Sequence, residues 1–136
     1  MQFTPYLNFD GQCAEAFRFY EKALGGKIVM LQTFGETPEM GEMPPALRDR
    51  VLHVRLAVGD QLLMGSDSQP DQHQSAQGFA VALQLDTAAE AERVYEALAE
   101  DGVVEMPLQK TFFAERFGML KDRFGIPWML NCEQGS

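Results

Sequence analysis

The sequence predicts an α+β fold made of two tandem βαβββ modules. The first observation is an internal repeat in two predicted helices that lie 75 positions apart. The repeated residues are Glu15, Ala16, Arg18, Tyr20 and Glu21, which return as Glu90, Ala91, Arg93, Tyr95 and Glu96. The second observation is that one short strand pattern precedes each helix and three follow it. Such duplication is typical of folds in which two copies of one supersecondary unit cover each other's apolar faces.

Length and composition indicate a single domain over residues 1–136, with repeat modules at about 1–68 and 77–136. The chain has 136 residues, of which 46% are hydrophobic, enough to bury a core. Its net charge is −9, from 20 acidic and 11 basic residues, and no cluster of Lys or Arg interrupts this acidic character. Nucleic acid is therefore disfavoured as a partner.

We expect a cytoplasmic protein with no membrane partner. No apolar run approaches the roughly 18 residues that a membrane span needs, and no basic segment followed by an apolar stretch opens the chain. The two cysteines, Cys13 and Cys132, have neither metal-binding nor redox spacing, so we expect reduced thiols rather than a disulfide framework.

The first module is predicted as strand, helix and three strands. The elements are a strand at Phe3–Phe9, a helix from about Gln12 to Leu24, and strands at Lys27–Phe34, Arg50–Val58 and Gln61–Ser66. The helix ends at Gly25 and Gly26, because glycine adopts a left-handed conformation at little cost. Gly59 and Asp60 predict the tight turn between the last two strands.

The second module repeats this order. The elements are a strand at Phe79–Leu85, a helix that ends near Gly102, and strands at about Val103–Gln109, Arg116–Lys121 and Pro127–Cys132. Thr87 and Glu90 have the spacing of a capping box at the start of the helix. Two loops stand apart: 35–49 is predicted as a flap over a site or a dimer contact, and 67–77 as the linker between the modules.

Four runs of residues resemble the PhnB-like branch of the vicinal oxygen chelate superfamily, to which glyoxalase I, extradiol dioxygenases, fosfomycin-resistance enzymes and bleomycin-binding proteins belong. The runs are TPYLNF at 4–9, LLMGSD at 62–67, QKTFFAERFG at 109–118 and KDRFGIPWMLN at 121–131. They cover both ends and the middle of the chain. The resemblance implies a cupped, incomplete barrel with helices on its convex face, and a homodimer.

The resemblance also locates the superfamily's metal site. Its metal enzymes hold a divalent ion with His or Gln on the first strand, Glu on the fourth, His on the fifth and Glu on the eighth. Those places align here with Pro5, about Met64, Ala80 and Met129. None of these side chains offers the oxygen or imidazole ligand that a hard divalent ion requires. We therefore expect no metal at that site, and no cofactor.

Strand alternation predicts which side chains line the cup. On the third strand Leu52, Val54, Leu56 and Val58 should face the helices, so His53 and Arg55 should point inward. The predicted ligand-binding residues are His53, Arg55, Gln84, Met129, Asn131 and Phe112, and the candidate catalytic residue is His53. Polar groups on an apolar floor are the usual composition of a small-molecule pocket.

Several of these residues have structural alternatives. Arg55 needs either a ligand anion or a partner carboxylate, because burial of an unpaired guanidinium is costly. The alternative for Gln84 and Asn131 is a hydrogen bond to each other. The alternative for Phe112, with Phe113, is a place in the core rather than in a ligand-stacking wall.

Three functions remain open. The first is a dimeric protein that binds a small molecule in the cup without the divalent metal site. The second is an enzyme of lyase, isomerase or transferase type that uses His53 and Arg55, or a displaced metal bound by His53 and rim carboxylates. Asp67 and Glu115 are the carboxylates nearest the expected rim, but no spacing marks them as an acid/base pair. The third is a structural or regulatory dimer with a filled cup.

Overall fold

The computed structural model describes residues 1–133 and divides the chain into two compact units, Met1–Gln74 and Ser75–Ser136. We call them the N-terminal unit and the C-terminal unit. The boundary falls within the predicted linker at 67–77. That the two units make up one domain stays a prediction.

The N-terminal unit has one sheet and one long helix. Its elements are β1 (Tyr6–Phe9), α1 (Cys13–Leu24), β2 (Lys27–Thr33), the short α2 (Pro45–Arg48), β3 (Val51–Val58) and β4 (Gln61–Asp67). The strand order is β1-β4-β3-β2, in which β1 is parallel to β4 and the other pairs are antiparallel. The first and last strands of the unit are therefore neighbours.

The C-terminal unit repeats this topology. Its elements are β5 (Val81–Gln84), α3 (Ala88–Ala99), β6 (Val103–Gln109), β7 (Ala114–Lys121) and β8 (Pro127–Glu133), with strand order β5-β8-β7-β6. Within the described residues each sheet keeps two unpaired edges and does not close into a barrel. The prediction of an α+β fold from two βαβββ modules is confirmed. No helix in this part of the chain is long and apolar enough to cross a membrane.

Each long helix covers one face of its own sheet. The apolar stripe of α1 is buried against β2, β3 and β4, and that of α3 against β6, β7 and β8. Glycines bring helix and sheet close together: a Cβ at Gly65 would lie 2.6 Å from the ring of Phe17, and one at Gly118 would lie 2.8 Å from the ring of Tyr95. The same device is thus present in both units.

The predicted end of α1 and the predicted start of α3 are observed. The backbone of Gly25 has φ 71°, a left-handed conformation, where α1 ends. The side chain of Thr87 accepts a hydrogen bond from the backbone N–H of Glu90 at 3.1 Å, the first half of the predicted capping box.

Some predicted boundaries are wrong. β1 begins at Tyr6 rather than Phe3, whose side chain is 93% exposed, and β5 begins at Val81 rather than Phe79, which is 50% exposed. The first strand of each module is therefore shorter than its apolar residues suggested.

The loop 35–49 has structure of its own. It contains a 3-10 turn at Pro38–Met40 and the short helix α2. Its two ends are joined by backbone hydrogen bonds, Phe34 N–H to the Arg50 carbonyl at 3.0 Å and Gly35 N–H to the Arg48 carbonyl at 2.9 Å. The loop therefore leaves and re-enters the β2–β3 hairpin at neighbouring points, which these hydrogen bonds hold together.

Candidate functional site

One face of the N-terminal sheet is not covered by α1, and we call it the open face of that unit. In β1 the buried residues alternate with Tyr6 and Asn8, which project from the open face. In β3 Arg55 is exposed between the fully buried Val54 and Leu56, as the predicted alternation required. Polar side chains from β1 and β3, among them His53, therefore meet on this face.

Three of these side chains form a hydrogen-bonded group, the Tyr6–His53–Arg55 cluster. Arg55 Nε donates to His53 Nε2 at 3.1 Å, and the Tyr6 hydroxyl lies 3.3 Å from His53 Nδ1. The Tyr6 ring also stacks on the imidazole, with ring centroids 5.8 Å apart and an angle of 19° between the planes. Both ring nitrogens of His53 are thus engaged, one by each neighbour.

These contacts determine the tautomer of His53. Because Arg55 Nε can only donate, His53 Nε2 must be the unprotonated nitrogen of a neutral imidazole. The proton then resides on Nδ1, which donates to the Tyr6 oxygen. Partial burial of the imidazole, and secondarily the Arg55 charge, lower the pKa of His53 below its usual value, in agreement with the neutral form.

The cluster leaves two kinds of donor free. The Tyr6 oxygen accepts from His53, so its own proton can be donated elsewhere. The Nη groups of Arg55 take no part in the Nε–His53 bond, and within the described residues Arg55 forms no ion pair. A guanidinium and a hydroxyl, both available as donors, can bind an anion.

Tyr6 was not among the predicted site residues. Its partner His53 lies 47 positions away in the sequence, so no local spacing connects them. The signal that identifies Tyr6 is its alternation with the buried residues Leu7 and Phe9.

The open face of the C-terminal unit carries the other predicted residues. In β8 the side chains of Trp128, Leu130 and Cys132 are buried, so Met129 and Asn131 project to the opposite face, as predicted. Asn131 Nδ2 donates to Gln84 Oε1 at 2.8 Å, which confirms the alternative in which these two amides hydrogen-bond each other. Their role in ligand binding stays a prediction.

The core assignment of Phe112 and Phe113 is wrong. Phe112 is 93% exposed and Phe113 is 51% exposed, and their rings meet edge to face with centroids 5.1 Å apart. Both residues lie between β6 and β7, outside both strands, as the predicted strand bounds also placed them. Their rings are therefore accessible to a ligand.

The positions aligned with the superfamily's metal ligands carry no ligand atoms for a hard ion. Met64 and Met129 project from open faces, and Ala80 precedes β5 in the same alternation. Pro5 is two positions before the buried Leu7, so strand alternation places it on the same side as Leu7 and Phe9. The residue on the open face is Tyr6, one position later. Among residues 1–133, no three His, Cys, Asp or Glu side chains lie close enough together to hold a metal ion.

Asp67 is not a rim carboxylate. It is 5% exposed at the end of β4, and its Oδ1 accepts from the backbone N–H groups of Gly11 at 2.8 Å and Cys13 at 3.1 Å. Its Oδ2 accepts from the Val51 N–H at 2.8 Å. Burial, with the Asp67 charge, also raises the pKa of the Cys13 thiol, which is thus protonated. Glu115 forms ion pairs with Arg116 at 3.4 Å and Lys110 at 3.9 Å.

A shallow cleft of about 250 Å³ lies between α3 and the edge strand β6. Its lining combines apolar and acidic side chains: Glu92, Tyr95, Glu96, Val104, Pro107 and Leu108. The Glu92 carboxylate is already paired with Arg116 at 3.1 Å. The cleft is smaller than the usual pocket for a drug-sized ligand.

Comparison with known proteins identifies relatives over nearly the whole chain. The chain is 32% identical to "Protein YjdN" of Escherichia coli (strain K12), over 96% of this chain and 95% of that protein. The crystal structure of protein PA1353 from Pseudomonas aeruginosa is 46% identical, with a TM-score of 0.89 and 98% of each chain covered. A Bacillus cereus structure described as a putative 3-demethylubiquinone-9 3-methyltransferase, PhnB protein, is 27% identical, with a TM-score of 0.81 over 97% of this chain and 99% of that one.

The fold alone is shared more widely. The fosfomycin resistance protein FosX from Listeria monocytogenes is 10% identical, with a TM-score of 0.67 over 99% of this chain and 94% of that one.

The family model described as 3-demethylubiquinone-9 3-methyltransferase matches residues 1–131. The chain therefore belongs to this PhnB-like family of the vicinal oxygen chelate superfamily.

Proposed function

We propose that the protein binds an anionic small molecule at the Tyr6–His53–Arg55 cluster, without a divalent metal at the superfamily's ligand positions. The observation that carries this proposal is the state of Arg55: its side chain is exposed, its Nε is held by His53, and no described carboxylate pairs with it. A guanidinium held in one orientation with both Nη groups free matches the paired oxygens of a carboxylate or phosphate.

The surroundings of Arg55 indicate the rest of the ligand. Met64 is in register with both Tyr6 and Arg55, and Met30 is in register with Arg55 from the other side. Thioether side chains adapt to irregular apolar shapes. The proposed ligand therefore has an acidic group at Arg55 and an apolar body over these methionines.

Calorimetric titration with benzoate and phenyl phosphate, compared with neutral benzamide, tests the proposal. Arg55→Met should weaken binding of the two anions by about 1.5–3 kcal/mol, the usual value of a hydrogen bond to a charged group. Because Arg55 is exposed, the free energy of unfolding should change by less than about 0.5 kcal/mol.

Arg18→Met is the matched control, since Arg18 is an exposed arginine of α1 in the same unit. It should bind both anions as the wild type does. Equal losses in the two variants, or binding of benzamide as tight as that of benzoate, would contradict an anion site at Arg55.

An enzyme remains the second candidate, and the neutral state of His53 favours it. A neutral imidazole can act as a base near pH 7, and the Tyr6 hydroxyl could supply a proton. The lone pair of His53 Nε2, however, is occupied by Arg55 in this conformation. Catalysis by His53 therefore requires that a substrate first draw Arg55 away, which ranks this candidate below simple binding.

We also propose that the protein is a homodimer. The edge strand β6 supports this, because its apolar side chains Val103 and Val104 are 62% and 49% exposed. An edge strand with exposed apolar side chains is a common site of association between chains. The third candidate function, a structural or regulatory dimer, would share this association but would not bind the anions.

A cytoplasmic location is part of the same proposal. It is supported by Cys13 and Cys132, which are both buried and free in the described residues. Buried free thiols are common where reducing conditions prevail. Fractionation of cells that produce the protein should place it with cytoplasmic markers.

A further inference from the structure

A second polar row lies on the open face of the C-terminal unit. Gln84 on β5 is in register with Asn131 on β8, and Asn131 is in register with Phe117 on β7. The three side chains therefore lie side by side across three adjacent strands. We call them the Gln84–Asn131–Phe117 row.

The two amides of this row are only partly satisfied by each other. Asn131 Nδ2 donates to Gln84 Oε1 at 2.8 Å, and this is the single hydrogen bond between them. The remaining groups are the Gln84 amide N–H donors and the Asn131 carbonyl acceptor. Reversal of both amides would again leave one donor group and one acceptor. The pair thus offers a donor and an acceptor together.

Aromatic and thioether side chains flank the amides. The Phe117 ring meets the Phe113 ring edge to face, with centroids 5.1 Å apart. In the next row of the same face, Met129 is in register with Met119 and with Ala82. The members of both rows carry no charge, in a chain whose net charge is −9.

We propose that the Gln84–Asn131–Phe117 row binds a neutral planar ring that carries a cis-amide, as in a lactam. The lactam C=O accepts from Gln84, its N–H donates to Asn131, and the ring packs against Phe117. A cis-amide presents its donor and acceptor on one edge, which complements the free groups of the amide pair. The inference does not rest on the anion site at Arg55.

Isoquinolin-1(2H)-one, a bicyclic lactam, is the probe that tests this site. In ¹⁵N-edited NMR spectra, millimolar probe should shift the side-chain NH₂ signals of Gln84 and Asn131. Its N-methyl derivative keeps the ring and the carbonyl but loses the donor, so it should bind at least about tenfold more weakly, because the Asn131 acceptor would be left unpaired.

Two variants test the residues themselves. Gln84→Met keeps the length of the side chain but removes the amide, and should weaken lactam binding by about tenfold. Gln61→Met, at an exposed position of β4, is the matched control and should bind as the wild type does. Arg55→Met should also bind the lactam normally, so failure of this site and failure of the anion site are distinguishable.

Two results would overturn the proposal. One is equal affinity for the lactam and its N-methyl derivative, which would show that the amide edge is not recognised. The other is an unchanged Gln84 and Asn131 NH₂ spectrum in the wild type at saturating probe. The second measurement needs no variant and so does not depend on how Gln84→Met folds.

Discussion

At the scale of the residue, the bond between Arg55 and His53 requires a neutral imidazole and is therefore linked to the protonation of His53. Protonated His53 would present two donors, so it could not accept from Arg55 Nε. Since the pKa of His53 is lowered in the folded state, the unfolded state binds more protons as the pH falls through this range. The stability contributed by neutral His53 is therefore present above the unfolded pKa and is lost as the pH falls through the folded one.

An NMR titration of the His53 ring protons tests this coupling. The wild-type midpoint should lie below the ordinary value of 6.5. Arg55→Met should raise the midpoint but leave it below that value, because burial, the larger cause, remains. Arg18→Met should leave the midpoint unchanged. A midpoint that does not rise in Arg55→Met would show that the charge of Arg55 does not act on the imidazole.

Asp67 gives a second prediction at this scale. Its carboxylate is buried and accepts three backbone N–H groups, so Asp67→Asn would direct an NH₂ group at one of these donors. The free energy of unfolding in urea should fall by about 1–3 kcal/mol, the cost of a buried unsatisfied group. Asp60→Asn, in the exposed turn before β4, should change it by less than about 0.5 kcal/mol. Similar losses in both variants would contradict this role.

Single residues were predicted where strand alternation was regular. The placement of Arg55, Met129 and Asn131 on the open faces follows from buried apolar neighbours on either side. Tyr6 was missed because hydrogen bonds between strands distant in sequence leave no spacing signal. Asp67 was misplaced because a carboxylate that accepts backbone N–H groups cannot be distinguished in the sequence from a solvated one.

At the scale of the element, Gly65 allows α1 to approach the sheet. A Cβ there would lie 2.6 Å from a ring atom of Phe17 and 2.8 Å from the Leu7 carbonyl oxygen. Gly65→Ala should therefore lower the free energy of unfolding by about 1–3 kcal/mol, the cost of overpacking a core. Ser66→Ala, the next residue on the open face, should cost less than about 0.5 kcal/mol. If Gly65→Ala were as stable as Ser66→Ala, the helix could shift freely.

The elements themselves were largely predictable, because their apolar periods are long and end at glycines. The helix at Pro45–Arg48 was missed because four residues are too few to show a helical period. Phe3 and Phe79 misled the prediction of strand bounds in the same way: each was placed at the start of a strand, yet each is at least 50% exposed. An exposed phenylalanine cannot be told from a buried one by its type alone.

At the scale of the whole molecule, the two units share topology but differ in the chemistry of their open faces. Both carry methionines, but one adds a guanidinium, an imidazole and a phenol, whereas the other adds a pair of hydrogen-bonded amides and phenylalanines. The repeat in the sequence predicted the shared topology, because it lies in the helix that packs on the sheet of each unit. It could not predict the faces, because the repeated residues at 15–21 and 90–96 lie in the helices.

For the whole molecule we predict a homodimer, and the mass of the particle in solution tests this prediction. Light scattering should give twice the chain mass of 15.2 kDa at micromolar concentration. The exposed apolar residues of β6 are the reason to expect association. The mass should stay constant as the salt concentration rises, because apolar contacts are not screened. A particle of 15.2 kDa would refute the dimer.

The parallel pairing of β1 with β4 also governs the order of events during translation. Asn8 and Ser66 are 58 positions apart, and β1 has no other strand partner among the described residues. Once β2 and β3 have been translated, both strands of one hairpin are therefore present. At that stage β1 still lacks its partner β4, and the Cys13 N–H at the start of α1 still lacks the Asp67 carboxylate. Nascent chains stalled before β4 should expose these segments to chaperones and proteases, whereas chains stalled beyond Gln74 already contain every strand partner of β1.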